Sequence, residues 1–100
     1  PNVANEDNVT QAHSLKAVLS PNPFASDLSL ILEAKNSSPV SISIYDLKGR
    51  LIAKSDHILK AGAITQLDFS EVFVNQTAGL YFVSINYGSG KLVRKVTKLP

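Results

Sequence analysis

A chain of 100 residues that is 44% hydrophobic and 18% charged, with no Cys, has the length and apolar content of one domain around one core. This composition excludes a collagen, a coiled coil, a disordered tail, a disulfide framework and a thiolate zinc site, and no apolar run approaches the ~20 residues of a membrane-spanning helix. Of the net charge of +2, residues 1–71 contribute −2, whereas residues 72–100 hold Lys91, Arg94, Lys95 and Lys98 without an acid, too small a cluster to imply nucleic-acid binding.

Residues 1–13 are polar and Asn-rich, which predicts an extended linker in front of the domain. With no Met and no charged-then-apolar leader, the chain is expected to be a piece of a longer protein whose export signal lies upstream. Leu15 to Leu19 reads as a short strand ended by Pro21-Asn22-Pro23, because neither proline can donate to a ladder. Leu28 to Leu32 is a compact apolar strand. Val40-Ser41-Ile42-Ser43-Ile44-Tyr45 alternates with the period of a half-buried antiparallel strand. Asp46-Leu47-Lys48-Gly49 then forms a tight turn, Asp opening it and Gly supplying a positive φ. Arg50 to Ser55 returns as the partner strand. Ala63 to Phe69 is a weaker strand after the turn Lys60-Ala61-Gly62. Leu80 to Tyr87 and Lys91 to Leu99 form a second hairpin around Gly88-Ser89-Gly90.

Seven strands without a helix predict an all-β, antiparallel, seven-stranded immunoglobulin-like sandwich. Its buried residues should include Leu30, Val40, Ile42, Ile44, Leu51 and Phe82. Gly79 and Tyr81 at the start of the penultimate strand match a tyrosine corner, in which the phenol hydroxyl bonds an upstream backbone group.

The residues that carry chemistry are sparse. His13 and His57 have no metal-ligand spacing, and no Gly-x-Ser-x-Gly elbow is present. The eight carboxylates are dispersed rather than paired. Gly88-Ser89-Gly90 precedes a strand, not the helix a phosphate cradle needs. Asp46 and Asp56 lack the calcium-loop pattern, and the Asn8, Asn36 and Asn75 sequons are short enough to arise by chance. No catalytic, metal or cofactor site is expected.

Four ordered segments resemble the C-terminal sorting domain (type A) of cargo proteins of the type IX (Por) secretion system. They are Ser20-Pro21-Asn22-Pro23-Phe24; Ile42 to Ile52, with Tyr45-Asp46 and Gly49-Arg50 between two apolar strands; Ala78-Gly79-Leu80-Tyr81-Phe82-Val83; and the basic ending Lys91 to Pro100. The likeness runs from about residue 14 to the end. Phe69 to Thr77 is longer and more polar than the connection usual in that family, and Leu99-Pro100 is an atypical tail.

The resemblance implies a domain, residues 14–100, fused to an upstream cargo domain and carrying it across a Gram-negative outer membrane. Its implied partners are the translocon and outer-membrane shuttle and sortase components. Its implied course is periplasmic transit, then cleavage by a surface sortase or release. On this reading Gly79, Tyr81, Lys91, Val93, Lys95, Val96 and Lys98 are the sorting and recognition residues. Pro21, Asn22, Pro23, Tyr45, Asp46, Gly49 and Arg50 are structural motif residues. An edge strand that adds to a partner sheet is the expected physical mode, with Lys91, Lys95 and Lys98 steering it to an acidic surface. The alternative is an immunoglobulin- or fibronectin-like spacer, or a carbohydrate-binding module of a secreted hydrolase, which would expose aromatic side chains on one sheet face.

Overall fold

The computed structural model describes residues 15–88 and 90–100; the expected linker, residues 1–13, lies outside them. The strands are β1 (Leu15–Ser20), β2 (Ser29–Ala34), β3 (Ser38–Asp46), β4 (Leu51–Leu59), β5 (Ile64–Asp68), β6 (Gly79–Tyr87) and β7 (Gly90–Lys98). They form two antiparallel sheets, ordered β1-β2-β5 and β4-β3-β6-β7.

Period-2 alternation decides which side chains lie between the sheets. From β2 these are Leu30, Leu32 and Ala34; from β3 Val40, Ile42 and Ile44; from β6 Tyr81, Val83, Ile85 and Tyr87. Each fully buried aliphatic side chain contributes about 1.5–3 kcal/mol, so the sandwich is held mainly by these facing rows. Ser43 and Ser84 sit opposite each other on the outer face of the larger sheet, buried by neighbouring strands rather than by the core.

Two expected core residues lie elsewhere. Phe82 is only half-buried, because it alternates with Val83 and so turns to the outer face, where it pairs with Tyr45. Leu51 is 51% exposed. The β3–β4 register shifts between Ile44 and Tyr45, with Ala53 opposite Ile44 and Leu51 opposite Tyr45. That extra residue re-aims Leu51 away from the core, as a bulge does.

One short helical turn joins the strands without altering the all-β class. After β5 the chain makes a 3-10 helix, Ser70–Phe73. Its last residue, Phe73, is 1% exposed and lies edge-on to both Phe24 and Tyr81, with centroid distances of 4.8 and 5.0 Å.

Candidate functional site

The four sequence motifs converge on one end of the sandwich. β3 ends there at Asp46, β6 begins there at Gly79, and β7 ends there at Lys98; Asp46 pairs with Tyr81 and Gly79 with Lys98. The segment after β1 arrives at the same place, because Phe24 bridges in parallel to Lys98.

Pro21-Asn22-Pro23-Phe24 acts as a clasp on the edge of β7. Both Ser20-Pro21 and Asn22-Pro23 are cis. The Asn22 Nδ2 donates to the Lys95 carbonyl at 3.0 Å, and its Oδ1 accepts from the Thr97 N–H at 3.1 Å. One exposed side-chain amide thus satisfies two groups of one strand edge. Phe24 continues the pairing: its N–H donates to Thr97 O at 2.9 Å, and its carbonyl accepts from the Leu99 N–H at 2.8 Å. The Phe24 ring meanwhile enters the core with no exposed surface.

The Asp46–Arg50 turn is organised by one carboxylate. Asp46 Oδ1 accepts from the N–H groups of Lys48 (3.0 Å) and Arg50 (2.9 Å), while Oδ2 accepts from Arg50 Nε at 3.0 Å. Gly49, at φ +86°, occupies the left-handed conformation that closes the turn without a Cβ penalty. The motif residues Asp46, Gly49 and Arg50 are therefore a self-contained turn. Because Arg50 is 77% exposed, the ion pair itself adds little to stability.

The Asp46 carboxyl is held below its ordinary value of 3.8, first by the Arg50 backbone N–H and further by the Arg50 charge and the Lys48 N–H, against a desolvation that raises it. A carboxylate with a depressed folded-state pKa stabilises fully above its unfolded value, and loses that contribution as pH falls through the folded one. The turn is thus expected to hold at neutral pH and to loosen only in acid below 3.8. An NMR titration should show the Lys48 and Arg50 amide shifts following Asp46 alone, and Asp46→Asn should remove the inflection.

The tyrosine corner forms as expected, with the Tyr81 hydroxyl donating to the carbonyl of Thr77. Gly79 has φ +143°, a conformation nearly closed to residues with a Cβ, which explains the glycine two positions before the tyrosine. A cleft of about 270 Å³ separates this corner from the Asp46–Arg50 turn, lined by Lys48, Arg50, Thr77, Gly79 and Tyr81 among others.

The residues expected to carry recognition do not form one surface. Lys95 and Lys98 lie at the motif-bearing end, Lys95 exposed and Lys98 half-buried on the opposite face of the strand. Lys91 and Val93 lie toward the Tyr87–Gly90 end of the β6–β7 hairpin, both exposed. Val96 has no exposed surface and Tyr81 only 3%, so both pack into the core of the folded domain. Lys48, Arg50 and Lys95 are all exposed, the first two at the Asp46–Arg50 turn and the third on β7 opposite Phe82.

The seven aromatic residues bear on the carbohydrate-binding alternative. Phe24, Phe69, Phe73, Tyr81 and Tyr87 are buried, while Tyr45 and Phe82 are half-buried neighbours. None of the seven is an exposed residue, and Tyr45 and Phe82 lie side by side on the outer face of the larger sheet. Among the described residues no group of three His, Asp or Glu could hold a metal ion. His57 Nε2 lies 3.0 Å from Ser55 Oγ, and among the described residues no carboxylate is hydrogen-bonded to that ring.

Comparison with known proteins finds a match to the family described as the secretion system C-terminal sorting domain, over residues 19–98. No curated protein matches the sequence significantly. Among solved structures, 85% of the chain superposes on part of a dimeric latent PorU from Porphyromonas gingivalis, with a TM-score of 0.66 and 18% identity, over 9% of that protein. At this identity the likeness is one of fold. A β-glucosidase from Listeria innocua shares 16% identity over 88% of the chain, with a TM-score of 0.47, over 16% of its own length. The chain thus spans only a small part of either protein.

Proposed function

This chain belongs to the secretion system C-terminal sorting domain family, and from that membership as a type IX sorting signal we propose how the signal is read. The domain is fused to an upstream cargo, crosses the periplasm folded, and presents the end of its sandwich where the four motifs meet. The translocon recognises that end, and outer-membrane shuttle and sortase components receive it, so that the cargo reaches the cell surface or the medium. The domain takes part as a ligand and performs no chemistry of its own. The observation that carries this reading is the convergence of Pro21–Phe24, Asp46–Arg50, Gly79–Tyr81 and Lys95–Lys98 on one end of the fold.

The test neutralises the cations there without unsettling the clasp. Removing Leu99 and Pro100 would cost the Leu99 N–H to Phe24 carbonyl bond, so substitution is cleaner than truncation. A reporter fused to residues 1–100 carrying Lys95→Gln and Lys98→Gln should keep its fold, since surface changes of this kind alter stability by no more than ~0.5 kcal/mol. In a cell with the secretion system it should accumulate in the periplasm. Undiminished export with an intact fold would remove these lysines from the address and leave the Asp46–Arg50 turn to carry it.

A further inference from the structure

Among the described residues, the edge of β7 is sealed over one half and open over the other. Along a strand in an antiparallel ladder, successive residues direct their N–H and C=O groups alternately to the two sides. Thr97 and the Lys95 carbonyl turn away from β6, because Asn22 and Phe24 bond them from the free side. The β6–β7 register runs without a shift from Gly79–Lys98 to Tyr87–Gly90. Lys91 and Val93 therefore turn their peptide groups to the same free side, beyond the reach of the clasp. Among the described residues only the Arg94 side chain approaches there, its Nη1 lying 3.4 Å from Val93 O, a contact too long to seal the edge.

The side chains beside this window carry a definite pattern. Lys91, Val93 and Lys95 are all exposed and share the outer face, cation–apolar–cation at alternate positions. The other edge strands lack it: Lys54 and Asp56 are mixed on β4, Lys16 stands alone on β1, and Asp68 on β5. Pairing with a second copy is opposed by the same pattern. The antiparallel self-register that uses all three residues puts Val93 against Val93 and each Lys91 against a Lys95, and like charges directly opposite destabilise a strand pair.

We infer that the open half of the β7 edge, Lys91–Lys95, is a strand-addition site for an acidic extended segment of a partner protein, of the pattern acid-x-apolar-x-acid. The pattern reads the same in both directions, so the charges fit a parallel or an antiparallel arrival. Each acid meets a lysine, and the central apolar residue covers the half-exposed Val93. This site goes beyond the reading of the motif-bearing end: it shares only Lys95 with that end, at the boundary of the clasp, and otherwise uses the far half of β7 and needs neither the Asp46 turn nor the tyrosine corner.

The test uses the full chain and a synthetic blocked peptide, Thr-Glu-Thr-Val-Thr-Glu-Thr, against the same peptide with Lys in place of Glu. The Glu peptide should bind at least about tenfold more tightly than the Lys peptide. The Lys91→Glu/Lys95→Glu double variant should reverse that order. Val93→Pro removes an N–H that faces outward and so leaves the β6 ladder intact; it should abolish binding. Should that variant not fold, hydrogen exchange of the wild-type chain decides: the Glu peptide should slow the Lys91, Val93 and Lys95 amides and leave Leu92 and Arg94 unchanged. Equal binding of both peptides, no slowing at the odd-numbered amides, or an edge-paired dimer of the chain alone would overturn the assignment.

Discussion

Phe73→Ala should destabilise the domain by about 3–5 kcal/mol, the cost of truncating a buried phenylalanine, although Phe73 lies in a connection between strands. Its ring sits between Phe24 and Tyr81, edge-on to each, and such pairs add about 0.5–1.5 kcal/mol beyond area burial. Val74, the next residue, is 71% exposed, so Val74→Ala should stay within about 0.5 kcal/mol. Urea unfolding of the two variants would check the contrast directly. Similar midpoints would mean that the 3-10 helix is not a wedge under the motif-bearing end.

Asn22→Ala should cost about 1–2 kcal/mol, because it removes two hydrogen bonds, each with a net contribution of about 0.5–1.5 kcal/mol. The lower part of the combined range applies because the freed groups on β7 can be hydrated. The local effect should exceed the global one. The Thr97 amide, bonded by Asn22 Oδ1, should exchange much faster, while Val96, held inward against Tyr81, should change little. Asn22→Asp retains an acceptor for Thr97 and loses the donor to Lys95 O, and should fall between. Unchanged exchange at Thr97 in Asn22→Ala would show that Phe24 alone holds the edge.

The sequence carried the parts of the fold that depend on alternation and on turn chemistry. Val40, Ile42 and Ile44 repeat every second residue and face the core as expected. Asp46 and Gly49 close the β3–β4 turn by the side-chain capping and positive φ that their types suggest. The Tyr81 hydroxyl finds its upstream carbonyl. What escaped depended on long-range geometry. The register shift at Ile44/Tyr45 leaves no local mark, so Leu51 reads as a core residue. Phe82 is large and apolar, yet its position beside Val83 fixes it on the outer face; strict alternation would have found it. Phe73 stands in a polar stretch and only its packing on Phe24 and Tyr81 reveals its place.

The candidate site was legible as four motifs but not as one surface. Pro21-Asn22-Pro23 reads locally as a strand terminator, and nothing in residues 20–24 says that Asn22 will bond a strand 73 residues later. Val96 and Lys98 look alike to a pattern of alternating charge, but the strand buries the one and half-buries the other. The uneven charge of residues 72–100 was visible from composition; its division into a clasped half and an open half of β7 required the Asn22 and Phe24 hydrogen bonds.

The claim that the sorting machinery reads the motif-bearing end is tested most directly by site-specific photocrosslinking during export. A photoreactive residue at Leu47 probes the Asp46–Arg50 turn, and one at Ile58 probes the opposite end of the same sheet, where Ile58 pairs with Pro39. The two positions are matched in exposure, at 66% and 69%, so accessibility does not separate them. Crosslinks to secretion components from position 47 and none from position 58 are the result expected. Crosslinks from position 58 alone, or equally from both, would contradict recognition at the motif-bearing end.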